Sequence, residues 1–161
     1  MEDERGLSRR SVITAGAWSV PIIAVAAATP LAAASTGGGT LYVVGDAYGG
    51  DPGGIFLNGS NYNGFGATQT YEPGEVVLTF TLPEGVDFSV NAPGGWVVAV
   101  SGNVVTISNG VALPPSETGD LGSFSITGPF EVGSTYTVTS APPQLNVIYE
   151  GNVGGGVFAG A

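Results

Sequence analysis

Glu75-Val76-Val77-Leu78-Thr79-Phe80-Thr81-Leu82 alternates without a break. Val76, Leu78, Phe80 and Leu82 are large and apolar, whereas Val77, Thr79 and Thr81 between them are β-branched and mostly polar. Successive side chains of a strand point to opposite faces, so this period of two predicts a strand with one face in a core and the other toward water.

The pattern recurs on both sides of that segment. Trp96 to Val100 and Val104 to Ser108 flank Ser101-Gly102-Asn103, a hairpin turn with glycine available for positive φ. Ser123 to Thr127 would bury Phe124 and Ile126; Thr135 to Thr139 would bury Tyr136 and Val138. Gln144 to Tyr149 would bury Leu145, Val147 and Tyr149. Leu41 to Val44, Ile55 to Leu57 and Thr68 to Tyr71 are weaker strand candidates. Beyond residue 34 Gly or Pro interrupts every window long enough for a helical period. About seven to nine short strands with regular turn signals predict an all-β, antiparallel β-sandwich. The glycine-dense run from Gly45 to Gly66 reads as a long loop or a frayed edge. The expected organisation is a signal segment over 1–34, then one domain. That domain has a Gly-rich strand and loop region over 35–66 and its core over 67–161.

The three basic residues, Arg5, Arg9 and Arg10, all precede residue 11, and there is no His or Cys. Ser8-Arg9-Arg10-Ser11-Val12-Ile13 leads into an apolar stretch, Ala15 to Ala28, and then Ala32-Ala33-Ala34-Ser35. A charged tip, a short apolar core and small residues at an A-x-A site predict a secretory signal helix. Cleavage after Ala34, with Ala32 at the other small position, would expose Ser35. The apolar core is shorter than the roughly 20 residues of a membrane span, so membrane contact is expected only through this segment before cleavage. The Arg9-Arg10 pair followed by Val12-Ile13 resembles a twin-arginine translocation signal. With Ala17-Trp18-Ser19-Val20-Pro21 and the alanine-rich end, the leader resembles those of actinobacterial secreted proteins. The resemblance implies export by the twin-arginine route, with the general secretory route as alternative, to a secreted or cell-surface location.

A second resemblance covers about Tyr71 to Ser140. Pro73-Gly74-Glu75, Leu82-Pro83-Glu84-Gly85-Val86-Asp87-Phe88, Gly95-Trp96, Leu121-Gly122-Ser123-Phe124 and Gly133-Ser134-Thr135-Tyr136 together resemble the immunoglobulin-like repeat domains of bacterial cell-surface proteins. It implies an immunoglobulin-like β-sandwich used as a spacer, stalk or adhesive module. Some members close a Lys–Asn isopeptide bond; this chain has no lysine.

Composition narrows the chemistry. Ten of the 13 acids lie beyond the leader, where no basic residue accompanies them. Nucleic acid is excluded as a partner, because phosphate binding needs Lys or Arg. Without His, Cys or Lys, nucleophilic triads have no base and zinc has no preferred ligands. Two site types remain. A carboxylate pair could serve glycoside hydrolysis, from Glu72/Glu75, Glu84/Asp87 or Glu117/Asp120; each stands beside a Gly or Pro turn, where solvating acids ordinarily sit. An oxygen cage could hold Ca²⁺, from Asp46 and Asp51 in a flexible Gly loop followed by Asn58, Asn61 and Asn63. No other cofactor is expected.

Tyr48, Tyr62 and Phe65, around the same run, are candidates for stacking on sugar rings, whereas Trp96 is expected in the core. The tail, Gly151 to Ala161, is expected to be able to lend a strand to a second copy. The leading expectation is a non-catalytic exported structural, assembly or adhesion module at the cell envelope with an extracellular protein or polysaccharide partner. The alternative is a small, calcium-assisted carbohydrate-binding module.

Overall fold

The computed structural model describes residues 37–160, which form eleven β-strands and no helix. The strands are β1 (Thr40–Tyr48), β2 (Gly50–Asn63), β3 (Val77–Thr81), β4 (Ser89–Asn91), β5 (Trp96–Ser101) and β6 (Val104–Asn109). β7 (Thr118–Asp120), β8 (Phe124–Phe130), β9 (Thr135–Ala141), β10 (Asn146–Gly151) and β11 (Gly156–Val157) complete them. The first sheet runs β10-β1-β2-β8-β4, with β7 also paired to β2; the second runs β11-β9-β3-β6-β5. The fold is an all-β sandwich of two mainly antiparallel sheets. Every ladder is antiparallel except β1 with β10, which is parallel.

The segment that opened the sequence reading becomes the middle of the second sheet. Val76, Leu78, Phe80 and Leu82 are buried, and β3 is flanked by β6 and β9. Phe80 stacks across the sandwich on Phe124 of β8, with ring centroids 5.6 Å apart. Trp96 and Ile107 of the second sheet are buried, as are Leu41, Ile55 and Ile126 of the first. β5 and β6 meet at a turn where Gly102 takes φ 59°, as its place in the hairpin predicts.

The run from Gly45 to Gly66 corrects the sequence reading. It is no loop and no frayed edge: it supplies the end of β1 and all of β2, the longest strand, in the interior of the first sheet. The glycines are there because backbones approach closely. The register slips between Val44 and Gly45, so that Val44 faces Gly59 and Gly45 faces Leu57. Asn58 is the extra residue of that bulge. A Cβ on Gly45 would lie 2.0 Å from the Phe56 carbonyl oxygen, and one on Gly54 would lie 2.1 Å from that of Ile126. Glycine inside a strand marks a bulge or a close approach, and here it marks both. Thr68 to Tyr71 forms no strand beyond an isolated bridge from Tyr71 to Leu113.

The tail, expected to be able to lend a strand, is seated in its own sandwich, with β11 at one edge of the second sheet. The Asn152 side chain brackets Ala47 of β1, accepting from its N–H at 2.5 Å and donating to its carbonyl at 2.7 Å. The Tyr136 hydroxyl donates to the Asn152 carbonyl. Phe158 is fully buried, stacked on Phe130 at 4.5 Å and tilted against Tyr136 at 4.9 Å. Gly49 N–H donates to Ala159 O at 2.7 Å and Phe158 N–H to Ser134 O at 2.9 Å. These few residues tie the first sheet to the second.

Candidate functional site

Arg9, Arg10, Ala32, Ala34 and Ser35 lie outside the described residues. The remaining site candidates all fall within them, and the structure separates most of them.

Asp46 stands on β1 opposite Phe56, and Asp51 lies five residues further along β2 from that point. Most of the run on which the calcium expectation rests is paired strand, with Gly49, Asp51 and Pro52 outside the ladders. Among the described residues no three His, Cys, Asp or Glu side chains gather at one place.

The carboxylate pairs act locally. Glu75 Oε2 accepts the Glu72 backbone N–H at 2.7 Å, clasping the turn before β3. Asp120 Oδ1 accepts the Gly122 N–H at 2.8 Å. All ten acids of the domain are exposed.

The aromatic trio is also dispersed. Tyr48 lies half-buried on the outward face of the first sheet, stacked on Phe56 with centroids 4.9 Å apart. Tyr62 points the other way and is buried, edge-on to Tyr71 at 6.0 Å; as a sugar contact it is corrected to a core residue. Burial pushes both hydroxyls above the usual tyrosine range, with the Tyr71 neighbour adding to the rise at Tyr62. Phe65 differs from both. It is 83% exposed, the most exposed of the large apolar side chains.

Phe65 borders a cleft of about 690 Å³ at the end of the first sheet. Gly37, Gly38, Gly39 and Thr40 line one part of it, Phe65, Gly66 and Thr68 another, and Pro143 to Asn146 a third. None of these side chains is charged. The glycine segment is fixed on several sides. The Tyr71 hydroxyl donates to Gly38 O at 2.7 Å, Thr68 N–H to Gly37 O at 2.7 Å, and Asn146 N–H to Gly39 O at 3.1 Å. A Cβ on Gly38 would lie 1.8 Å from the Gln144 carbonyl oxygen, and one on Gly39 would lie 2.7 Å from the Tyr62 hydroxyl. That hydroxyl is buried and has no hydrogen-bond partner among the described residues. Glycine at these positions lets the segment pack directly against the Gln144 carbonyl and the Tyr62 ring, where a side chain would collide.

The turn carrying Phe65 is equally fixed. Phe65 N–H donates to Asn63 Oδ1 at 2.9 Å and Ala67 N–H to Gly64 O at 2.9 Å. Gly64 itself is held by Glu117 and Ser116 through two backbone bonds of 2.8 Å. A smaller depression of about 210 Å³ is lined by Gln69, Tyr71, Glu75, Pro142 and Gln144, so Gln144 borders both. Sequence reasoning named Phe65 but missed Gln144 and Asn146, because their sites form only when β10 comes to lie beside β1 from 106 residues away.

Fold and site together define a β-sandwich with a neutral cleft and a charged periphery. No protein-family model and no curated protein matches the chain. Among solved structures it is similar to a non-cellulosomal cohesin from the hyperthermophilic archaeon Archaeoglobus fulgidus. The two are 14% identical over 74% of this chain and 89% of that one, with a TM-score of 0.38.

Proposed function

We propose that this chain is an exported, non-catalytic structural, assembly or adhesion module that acts at the cell envelope through binding. The observation that carries this reading is where the ionisable groups lie. All ten acids sit on the surface, and the buried core is apolar apart from tyrosines, Ser60, Asn109 and Trp96. Catalytic acids and bases are usually found where burial and neighbours perturb them, whereas these carboxylates are all exposed and spread over strands and turns alike. The buried Asn109 has a structural task, accepting from Val76 N–H at 2.8 Å and donating to Glu72 and Val111 carbonyls.

Export by the twin-arginine route with cleavage after Ala34 belongs to the same reading. Support comes from the Arg9-Arg10 tip and the small residues Ala32 to Ala34. Fractionating the producing cells and sequencing the N-terminus of the recovered protein tests it. A form beginning at Ser35 in the wall or the medium is expected, and replacing Arg9-Arg10 by two lysines should retain the chain inside. An unprocessed chain in the cytosol would overturn the reading.

A further inference from the structure

We propose that the cleft beside Phe65 binds a neutral oligosaccharide, one sugar ring resting on the Phe65 ring and its hydroxyls meeting Thr40, Gln144 and Asn146. The proposal deepens the adhesion reading, on which it rests, by assigning a ligand class to one place on the surface.

Charge selects the ligand first. The chain carries a net −10, yet no charged side chain lines the cleft. An anionic ligand would meet a repelling surround with no Lys or Arg to bind it, and a cation would find no carboxylate in the lining. A neutral ligand suffers neither penalty. The lining then selects for hydroxyls. Amide and hydroxyl side chains both donate and accept, which suits a ligand whose every polar group does the same. Sugar rings also present an apolar C–H face, and an exposed aromatic ring is the surface that complements it.

The shape agrees. About 690 Å³ lies within the usual range of small-molecule sites. Phe65 is not exposed through slackness, since its turn is held by backbone bonds to Glu117, Ser116 and Gly37. A fixed platform loses little entropy on binding. The exposed valines Val97, Val100, Val132 and Val157 stand on strands or turns and do not line this cleft; single exposed apolar residues of that kind are ordinary.

The test is isothermal titration of the full chain with cellotetraose, xylotetraose, mannotetraose and chitotetraose, and with tetragalacturonate as an acidic counterpart. At least one neutral probe should bind, and tetragalacturonate should bind more weakly than it. Phe65→Ala should weaken binding about tenfold or more, the equivalent of roughly 1.4 kcal/mol, with an unchanged melting temperature. Phe65→Trp should keep or strengthen it. Three results overturn the proposal: no neutral probe bound at millimolar concentration, binding indifferent to Phe65→Ala, or capture of a proline-rich peptide with no sugar bound. The titration is blind to where the cell places the protein, and fractionation is blind to the cleft, so each reading fails on its own evidence.

Discussion

The β1–β2 hairpin and the β3–β6 pair occupy comparable places, each inside one sheet of the sandwich, yet they are written in opposite ways. β3 and β6 bury alternate side chains and show a period of two at sight: Leu78 and Phe80 inward, Thr79 and Thr106 outward. β1 and β2 bury backbone as well. Their glycines let carbonyls of neighbouring strands pass where a methyl group would collide. The first pair is held by side-chain volume and the second partly by its absence.

This contrast can be attacked from either side, beginning with the largest effect. Gly45→Val places carbon against the Phe56 carbonyl in the middle of the first sheet, and no side-chain movement relieves a clash with backbone. The variant should yield no cooperative melt by circular dichroism; a melt within a few degrees of the parent would show that the bulge yields. Phe80→Ala removes volume instead, from a buried ring stacked on Phe124. It should fold but lose about 3–5 kcal/mol in urea titration, and a loss below about 1 kcal/mol would mean the cavity collapses.

Alkaline pH separates the two regions by titration. β3 and β6 carry no ionisable side chain, whereas Tyr62 lies on β2 against Tyr71. Burial raises both tyrosines above their ordinary value of 10.0. The unfolded chain therefore loses these protons first, and folding stability is fully present below pH 10.0 and lost as pH rises through the raised folded values. Melting temperature against pH should be flat through neutrality on this account and fall above about 10. Replacing Tyr62 by Phe should lessen the alkaline fall, and an unchanged slope would exclude Tyr62 as its source.

The smallest effect has the opposite sign. Gly59 lies in the same strand as Gly54, but a Cβ there would find only Asn61 Nδ2, at 4.0 Å. Gly59→Ala should stabilise by about 0.4–1 kcal/mol, because it restricts the unfolded chain without a folded clash. Destabilisation in the same urea assay would show that Gly59 is as constrained as Gly45.

The same contrast explains what could be read from residue order. The sandwich, its core faces and the β5–β6 turn follow from alternation around Phe80, Trp96 and Ile107, because period two is a local property. The β1–β2 hairpin is only partly legible: Leu41 to Val44 and Ile55 to Leu57 read as weak strand candidates, and the glycines around them carry no side chain to alternate. Its signal was present in another form, since Ile55 and Leu57 sit two apart amid glycines whose spacing marks bulges. Phe65 could be nominated by its aromatic character, but its cleft could not. That cleft needs Gln144 and Asn146, brought beside Gly39 by a parallel pairing that no local pattern announces. Tyr62 misled for a related reason: with the strand unseen, its inward direction could not be assigned.

The parallel ladder between β1 and β10 has a consequence in time as well as in space. Until Asn146 to Gly151 arrives, one side of β1 has no partner, and until Phe158 arrives, the rings of Phe130 and Tyr136 have nothing between them. A chain emerging in N-to-C order thus holds that sheet edge open until Asn146 to Gly151 has been made. The segment from Asn146 to Phe158 acts as a latch, supplying both the missing strand and the missing ring.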